Sequence, residues 1–128
     1  MKPITAEWVS KAEGDWASCQ REVRARKQPN HDAACFHAQQ CAEKYLKAWL
    51  QETGIAFGKI HDLTKLLGLA MPNQPTWAAL RSDLIVLTDF AVEYRYPGNS
   101  ATRADARDAL NRCKKTRSVI RKAFGLTA

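Results

Sequence analysis

Residues 32–53 read DAACFHAQQCAEKYLKAWLQET, a long stretch without proline or glycine. Ala34, Ala38, Cys41, Tyr45 and Trp49 recur at helical spacing, and Phe36, Ala42, Leu46 and Leu50 widen that stripe. At 1.5 Å per residue such a helix is about 33 Å long, close to the diameter of a small domain. An apolar surface this wide predicts a central helix with neighbours on more than one side. Asp32 stands where it can cap or charge the start, because the free N–H groups there favour an oxygen or a negative charge. Gly54 supplies the stop. His37, Gln40, Glu43, Lys44 and Lys47 lie at i, i+3 and i+4 spacings and share one flank. That flank reads either as a ligand site or as a charged surface or interface rim.

On the N-terminal side, Trp8, Ala12, Trp16, Cys19 and Val23 predict a first helix over about 5–27, with Thr5 as a weak cap. Gly14 interrupts it, and a close helix crossing would explain a glycine there. Pro29 and Asn30 mark the turn. On the C-terminal side, residues 54–60 form a connector whose Ile55, Phe57 and Ile60 pack down. His61-Asp62-Leu63 opens a short helix through Ala70, with Asp62 at its start. Thr76 is placed to cap a helix from Trp77 to Tyr94, with Leu80, Leu84, Leu87 and Ala91 as its stripe and Ile85 and Phe90 broadening it. Pro97 and Gly98 end that pattern, and a last helix spans about 102–124 with Ala106, Leu110, Cys113, Ile120 and Ala123 inside. The expected fold is all-α: one domain over residues 1–128, a four-long-helix up-and-down bundle with an additional short helix.

The chain has 128 residues and a net charge of +7. Its apolar runs are too short for a membrane span, and residues 1–15 lack a secretory pattern, so the expected location is cytoplasmic. Cys19, Cys35, Cys41 and Cys113 form no CxxC pair and read as buried free thiols. Neither a metal site nor a cofactor motif is read from the chain. Residues 103–122 carry eight cations against Asp105 and Asp108. Arg112, Lys115, Arg117, Arg121 and Lys122 therefore form a candidate basic patch for phosphates or an acidic partner, with a solvated outer face as the alternative.

Three signatures coincide in order: FHAQQCAEKYLKAWL at 36–50, KIHDL at 59–63 and EYRYP at 93–97. With SKAEGDW at 10–16, they make nearly the whole chain resemble the HEPN family, the higher-eukaryote and prokaryote nucleotide-binding domain, in its RYP-containing group. The resemblance implies a helical bundle, commonly a homodimer, found beside or fused to small nucleotidyltransferases. It also implies association with nucleotide or RNA, and for some members a place in toxin–antitoxin or defence systems. A subset of the family cleaves RNA through Arg-x4–6-His near the start of the final helix. Arg95 matches the arginine, but no histidine follows His61. Arg26 and His31 have the spacing at the wrong place, in the first interhelical turn.

The site candidates follow. Arg95 can hold phosphate by paired N–H donors but is a poor proton carrier, and Tyr96 can stack on a base. Both can equally tie helix ends together, with Asp89 and Glu93 as local partners for the arginine. His37, Gln40, Lys44, Lys47, His61 and Asp62 complete the ligand-binding candidates, with capping as the alternative for Asp62. No catalytic residue is assigned. The expected function is a nucleotide- or RNA-associated binding module. Its rivals are an endoribonuclease with a non-standard site and a purely structural interaction module. A histidine converging on Arg95 in the fold would favour the ribonuclease.

Overall fold

A computed structural model describes residues 1–127. Five α-helices account for the fold: α1 Pro3–Arg24, α2 His31–Thr53, α3 Leu63–Ala70, α4 Arg81–Glu93 and α5 Arg103–Ala123. There is no strand among the described residues. A 3-10 segment, Pro75–Leu80, leads into α4. The expected all-α bundle is therefore the observed one. α2 packs against α1, α3, α4 and α5.

The core follows the predicted stripes. Ala38, Cys41, Tyr45, Leu46 and Leu50 of α2 are fully buried against Ala12 and Cys19 of α1, Leu84 and Leu87 of α4, and Ala106, Cys113 and Ile120 of α5. Trp16 and Trp77 are buried with them, while Trp8 and Trp49 are half-buried. All four cysteines are buried free thiols.

Several local expectations change. Asn30 caps α2, accepting from the Ala33 N–H at 2.9 Å, while Asp32 charges the first turn, the second of its two expected roles. Asp32 also reaches across the fold to accept the Ala101 N–H at 2.7 Å. Thr5 is buried inside α1, whose start is shifted by Pro3. Outside the backbone of α1 itself, nothing lies within 4 Å of where a Gly14 Cβ would sit, so no close crossing explains that glycine. Thr76 caps nothing, because Pro75 starts the 3-10 segment first. Phe36 and Ile85 face outward rather than widening the core, and Ala123 is exposed. The expected stop at Gly54 holds: it adopts φ of 74°, the left-handed region that glycine enters most easily, and Gly125 after α5 does the same at 75°.

Four chain segments meet at one end of the bundle. Asn30 N–H reaches Glu22 at 3.3 Å, joining the end of α1 to the start of α2. The Asp32–Ala101 bond joins α2 to the segment before α5. Tyr94 O–H donates to Asp105 at 2.8 Å, joining the end of α4 to the first turn of α5. α1 and α4 thus run one way, and α2 and α5 the other.

Candidate functional site

The polar flank of α2 does not act as one surface. Lys44 and Lys47 are about 60° apart around the helix, and each meets a different neighbour. Asp15 of α1 accepts from Lys44 Nζ at 2.6 Å and lies 2.8 Å from His37 Nδ1. Lys47 turns instead to Glu43, its Nζ 3.2 Å from Oε2. Both groups are nearly inaccessible, at 4% and 5% exposure, and so belong to the interior rather than to a rim. Glu one turn before Lys is the favourable order for such a pair.

The connector brings a third member. His61 Nδ1 lies 3.1 Å from Glu43 Oε2 and 3.5 Å from Lys47 Nζ. With the Glu43 carboxylate ionised, Nδ1 is the donor, and Nε2 is left without a protein partner. The His61 side chain is 72% exposed. Its neighbour Asp62 is spent on α3: Oδ1 accepts from Thr64 N–H at 2.9 Å and from Thr64 Oγ1 at 2.7 Å. The Thr64 hydroxyl bond, followed by the backbone donors, holds the Asp62 carboxyl below its ordinary 3.8. The polar chain extends further along α2. Gln40 Nε2 donates to Gln39 Oε1 at 2.7 Å, and Gln39 Nε2 donates to Glu43 Oε1 at 3.2 Å.

This network forms one wall of a cleft of about 480 Å³, lined by Gln39, Gln40, Glu43, His61, Asp62, Thr88, Ala91, Val92 and Arg95. Arg95 also lines an adjoining depression of about 340 Å³ with Asp32, Phe36, Phe90 and Tyr94. It therefore stands on the divide between the two. Among the described residues it forms no ion pair, and neither Asp89 nor Glu93 reaches it. Tyr96 beside it is 66% exposed. The fold thus brings Arg95, Gln40, His61 and Asp62 to one cleft, with Lys47 behind it, and sends His37 and Lys44 to the α1 side. Gln39, Glu43 and Thr88 complete the wall. The Gln39, Glu43, Lys47 series at i, i+4, i+8 is the sequence signal for the first two.

The basic patch is not the free surface its composition suggested. Arg117 Nε and Nη2 each bond a Glu13 carboxylate oxygen at 2.7 Å. Arg121 donates to Tyr45 Oη at 3.0 Å, and Tyr45 donates to Glu13 at 2.5 Å. Arg112 and Lys115 both pair with Asp83 of α4, at 3.2 and 3.1 Å. Only Lys122 of the five is left without such a partner among the described residues. These cations fasten α5 to α1 and α4. The Arg117 bonds, ahead of the opposing effect of burial, hold the Glu13 carboxyl below its ordinary 4.5.

Among the described residues no cluster of three His, Cys, Asp or Glu could hold a metal ion. No helix among them is long and apolar enough to cross a membrane.

Two solved structures share the fold over nearly their whole length. TT1696 from Thermus thermophilus matches with a TM-score of 0.73 at 24% identity, covering 92% of this chain and 96% of that one. ST0689, an archaeal HEPN homologue, matches with a TM-score of 0.69 at 25% identity, covering 96% and 98%. A comparison with curated proteins finds no match. The HEPN domain model covers residues 5–123, which take in all of α2 to α5, α1 from its third residue, and the whole cleft. The chain belongs to the HEPN domain family.

Proposed function

We propose that this chain is a nucleotide- or RNA-associated binding module whose ligand phosphate is taken up in the cleft below Arg95. The observation that carries the reading is the meeting of Arg95, Gln40 and His61 in that one cleft. A guanidinium without a protein counter-ion matches a phosphate, and the Gln40 amide and His61 Nε2 add directional hydrogen bonds. Residues 1–128 work as one domain, and the working unit is a homodimer. Phe36, Val92 and Tyr96 offer exposed apolar surface around the cleft for a second copy. A small nucleotidyltransferase, in a toxin–antitoxin or defence-type setting, is the protein partner. The test is titration calorimetry with nucleotides and short RNAs, on wild type and on Arg95→Ala. Binding weakened about tenfold or more by the exposed Arg95→Ala, with unchanged melting, supports the reading. Absence of binding by the wild type overturns it.

A second reading, an endoribonuclease with a non-standard site, is favoured by His61 lining the cleft of Arg95. His61, held by Glu43 through Nδ1, would take the ribose 2′-O–H proton at Nε2 as the 2′-oxygen bonds to phosphorus and the P–5′-O bond breaks, the leaving 5′-oxygen taking a proton from water, while Arg95 neutralises the phosphate. Metal-independent RNA cleavage abolished by His61→Ala supports it, and a clean wild-type preparation that leaves RNA intact removes it.

A further inference from the structure

The SKAEGDW segment of α1 is only partly absorbed by the fold. Glu13 is taken by Arg117 and Tyr45, Asp15 by Lys44 and His37, and Trp16 by the core. Ser10, Lys11 and Gly14 face outward. With Glu7, Ser18 and Arg21 they line an open groove of about 610 Å³ along α1, with Lys44 at its side. A glycine inside a helix costs about 0.5–1 kcal/mol against alanine. No neighbouring element crosses at Gly14 to account for that cost.

The groove residues are placed symmetrically. Ser10 and Ser18 stand four positions from Gly14 on either side, and Glu7 and Arg21 stand seven. At about 100° per residue, all five lie within about 40° of the Gly14 direction and form one straight stripe. Their spacing averages about 3.5 residues, that of a seam along which two helices cross at a shallow angle. The middle of the stripe is small and its ends carry opposite charge. Among the described residues Glu7 forms no ion pair, not even with Lys11 one turn on, and Arg21 bonds only the Ser18 hydroxyl. The two charges stand on one rigid helix about 21 Å apart, out of each other's reach.

We propose that the outer face of α1 is a docking surface for a second copy of this chain, bound antiparallel about a two-fold axis between the two Gly14 residues. That axis sets each Glu7 opposite the other copy's Arg21, so one operation supplies both missing counter-ions twice over. It also lets the two backbones approach where Ser10, Gly14 and Ser18 carry no bulk. Lys44 beside the axis does not oppose the contact, since Asp15 neutralises its ammonium at 2.6 Å. This surface is separate from the apolar one around the cleft: α1 packs on α2 and α5 and gives no residue to the cleft of Arg95. Together with the cleft-side homodimer proposed above, a second two-fold contact joins dimers into a tetramer. One helix face is a small interface, so this contact forms and dissociates with concentration.

The experiment is sedimentation velocity over a dilution series of the full chain. The samples are the wild type, Glu7→Arg, Arg21→Glu, an equal mixture of those two, and the double variant. Each single reversal sets two pairs of like charges across the axis and should weaken the association about tenfold or more. Mixing the single variants makes both ends attractive again, because the arginines of the first meet the glutamates of the second. The mixture and the double variant should therefore associate like the wild type. A second readout is Gly14→Cys, which sets one thiol on each side of the axis, with the native cysteines buried. Oxidised glutathione should link it into a covalent dimer faster than it links Lys59→Cys, a control on another exposed position. A wild type that stays monomeric at every concentration overturns the surface. Single reversals that leave the association unchanged also overturn it, and show that the cleft face holds the copies together. Loss in both singles without recovery on mixing overturns it and assigns the face to a different partner, as does Gly14→Cys linking no faster than the control. Recovery on mixing requires two folded chains, so misfolding cannot imitate the expected result. Should thermal melts show either reversal unfolded, Glu7→Gln and Arg21→Gln replace them, each weakening the association in place of the wild-type pairs. Nucleotide and RNA titrations of the single reversals should match the wild type, so this surface and the cleft reading stand or fall separately.

Discussion

Arg117 grips Glu13 through two parallel hydrogen bonds of 2.7 Å, clamping the last helix onto the first across 104 positions of chain. The guanidinium also lies over the Trp16 ring, 5.1 Å from its centroid. Charge, fork geometry and aromatic contact act together here, so Lys would not replace Arg.

Removing the carboxylate leaves a largely buried cation without its counter-charge. Glu13→Gln should therefore cost about 1–3 kcal/mol in urea unfolding. The pH dependence has a defined sign. Because the Glu13 carboxyl is held below 4.5 in the fold, its contribution is complete above that value. It is lost as pH falls through the lower folded value. Acid unfolding of Glu13→Gln should accordingly be shallower than that of the wild type.

Glu43 and Lys47 should show strong mutual dependence. Glu43→Gln strands the buried Lys47 ammonium, at a cost of about 3–5 kcal/mol. Glu43→Leu with Lys47→Met removes both charges and should cost less than the sum of the single changes. A double-mutant cycle in urea measures this coupling. Additive single effects would show that the pair is not coupled.

Two glycine-to-alanine changes should have opposite signs. Gly14→Ala meets no neighbour and lies inside α1, so it should stabilise by about 0.5–1 kcal/mol. Gly54→Ala forces a side chain into φ 74° and should destabilise by about 1 kcal/mol or more. Melting temperatures of the two variants give the comparison directly.

The cysteines should be inert in the native protein. Burial pushes the Cys19 and Cys35 thiols up to about 12, and raises Cys113 as well, its shift led by contact with Cys41. Iodoacetamide at neutral pH should label them only at the rate of unfolding. Fast labelling of one thiol in the folded protein would contradict the packing around it.

The helices and their core faces were legible because hydrophobic spacing records burial directly, as Cys41, Tyr45 and Trp49 did for α2. The start of α4 was not, because Trp77 and Leu80 continue the stripe of Leu84 and Leu87 while the backbone changes helix type beneath them. The pairing of Arg112 with Asp83 and of Arg117 with Glu13 depends on helix docking, which local pattern does not contain. The cleft was half visible. Its residues were named, but the path of the 54–60 connector decides that His61 meets Glu43, and helix rotation decides that Lys44 leaves for Asp15.

The Asp32–Ala101 and Tyr94–Asp105 bonds acquire a further meaning when taken as a pair. They are the two feet of an arch, residues 95–100, all of whose members are exposed. With both feet fixed, most of the entropy of closing that loop is removed before any ligand arrives. Affinity at Arg95 can then be tuned from the feet: Asp32→Ala would loosen the arch that carries Arg95 without changing the Arg95, Gln40 or His61 side chains.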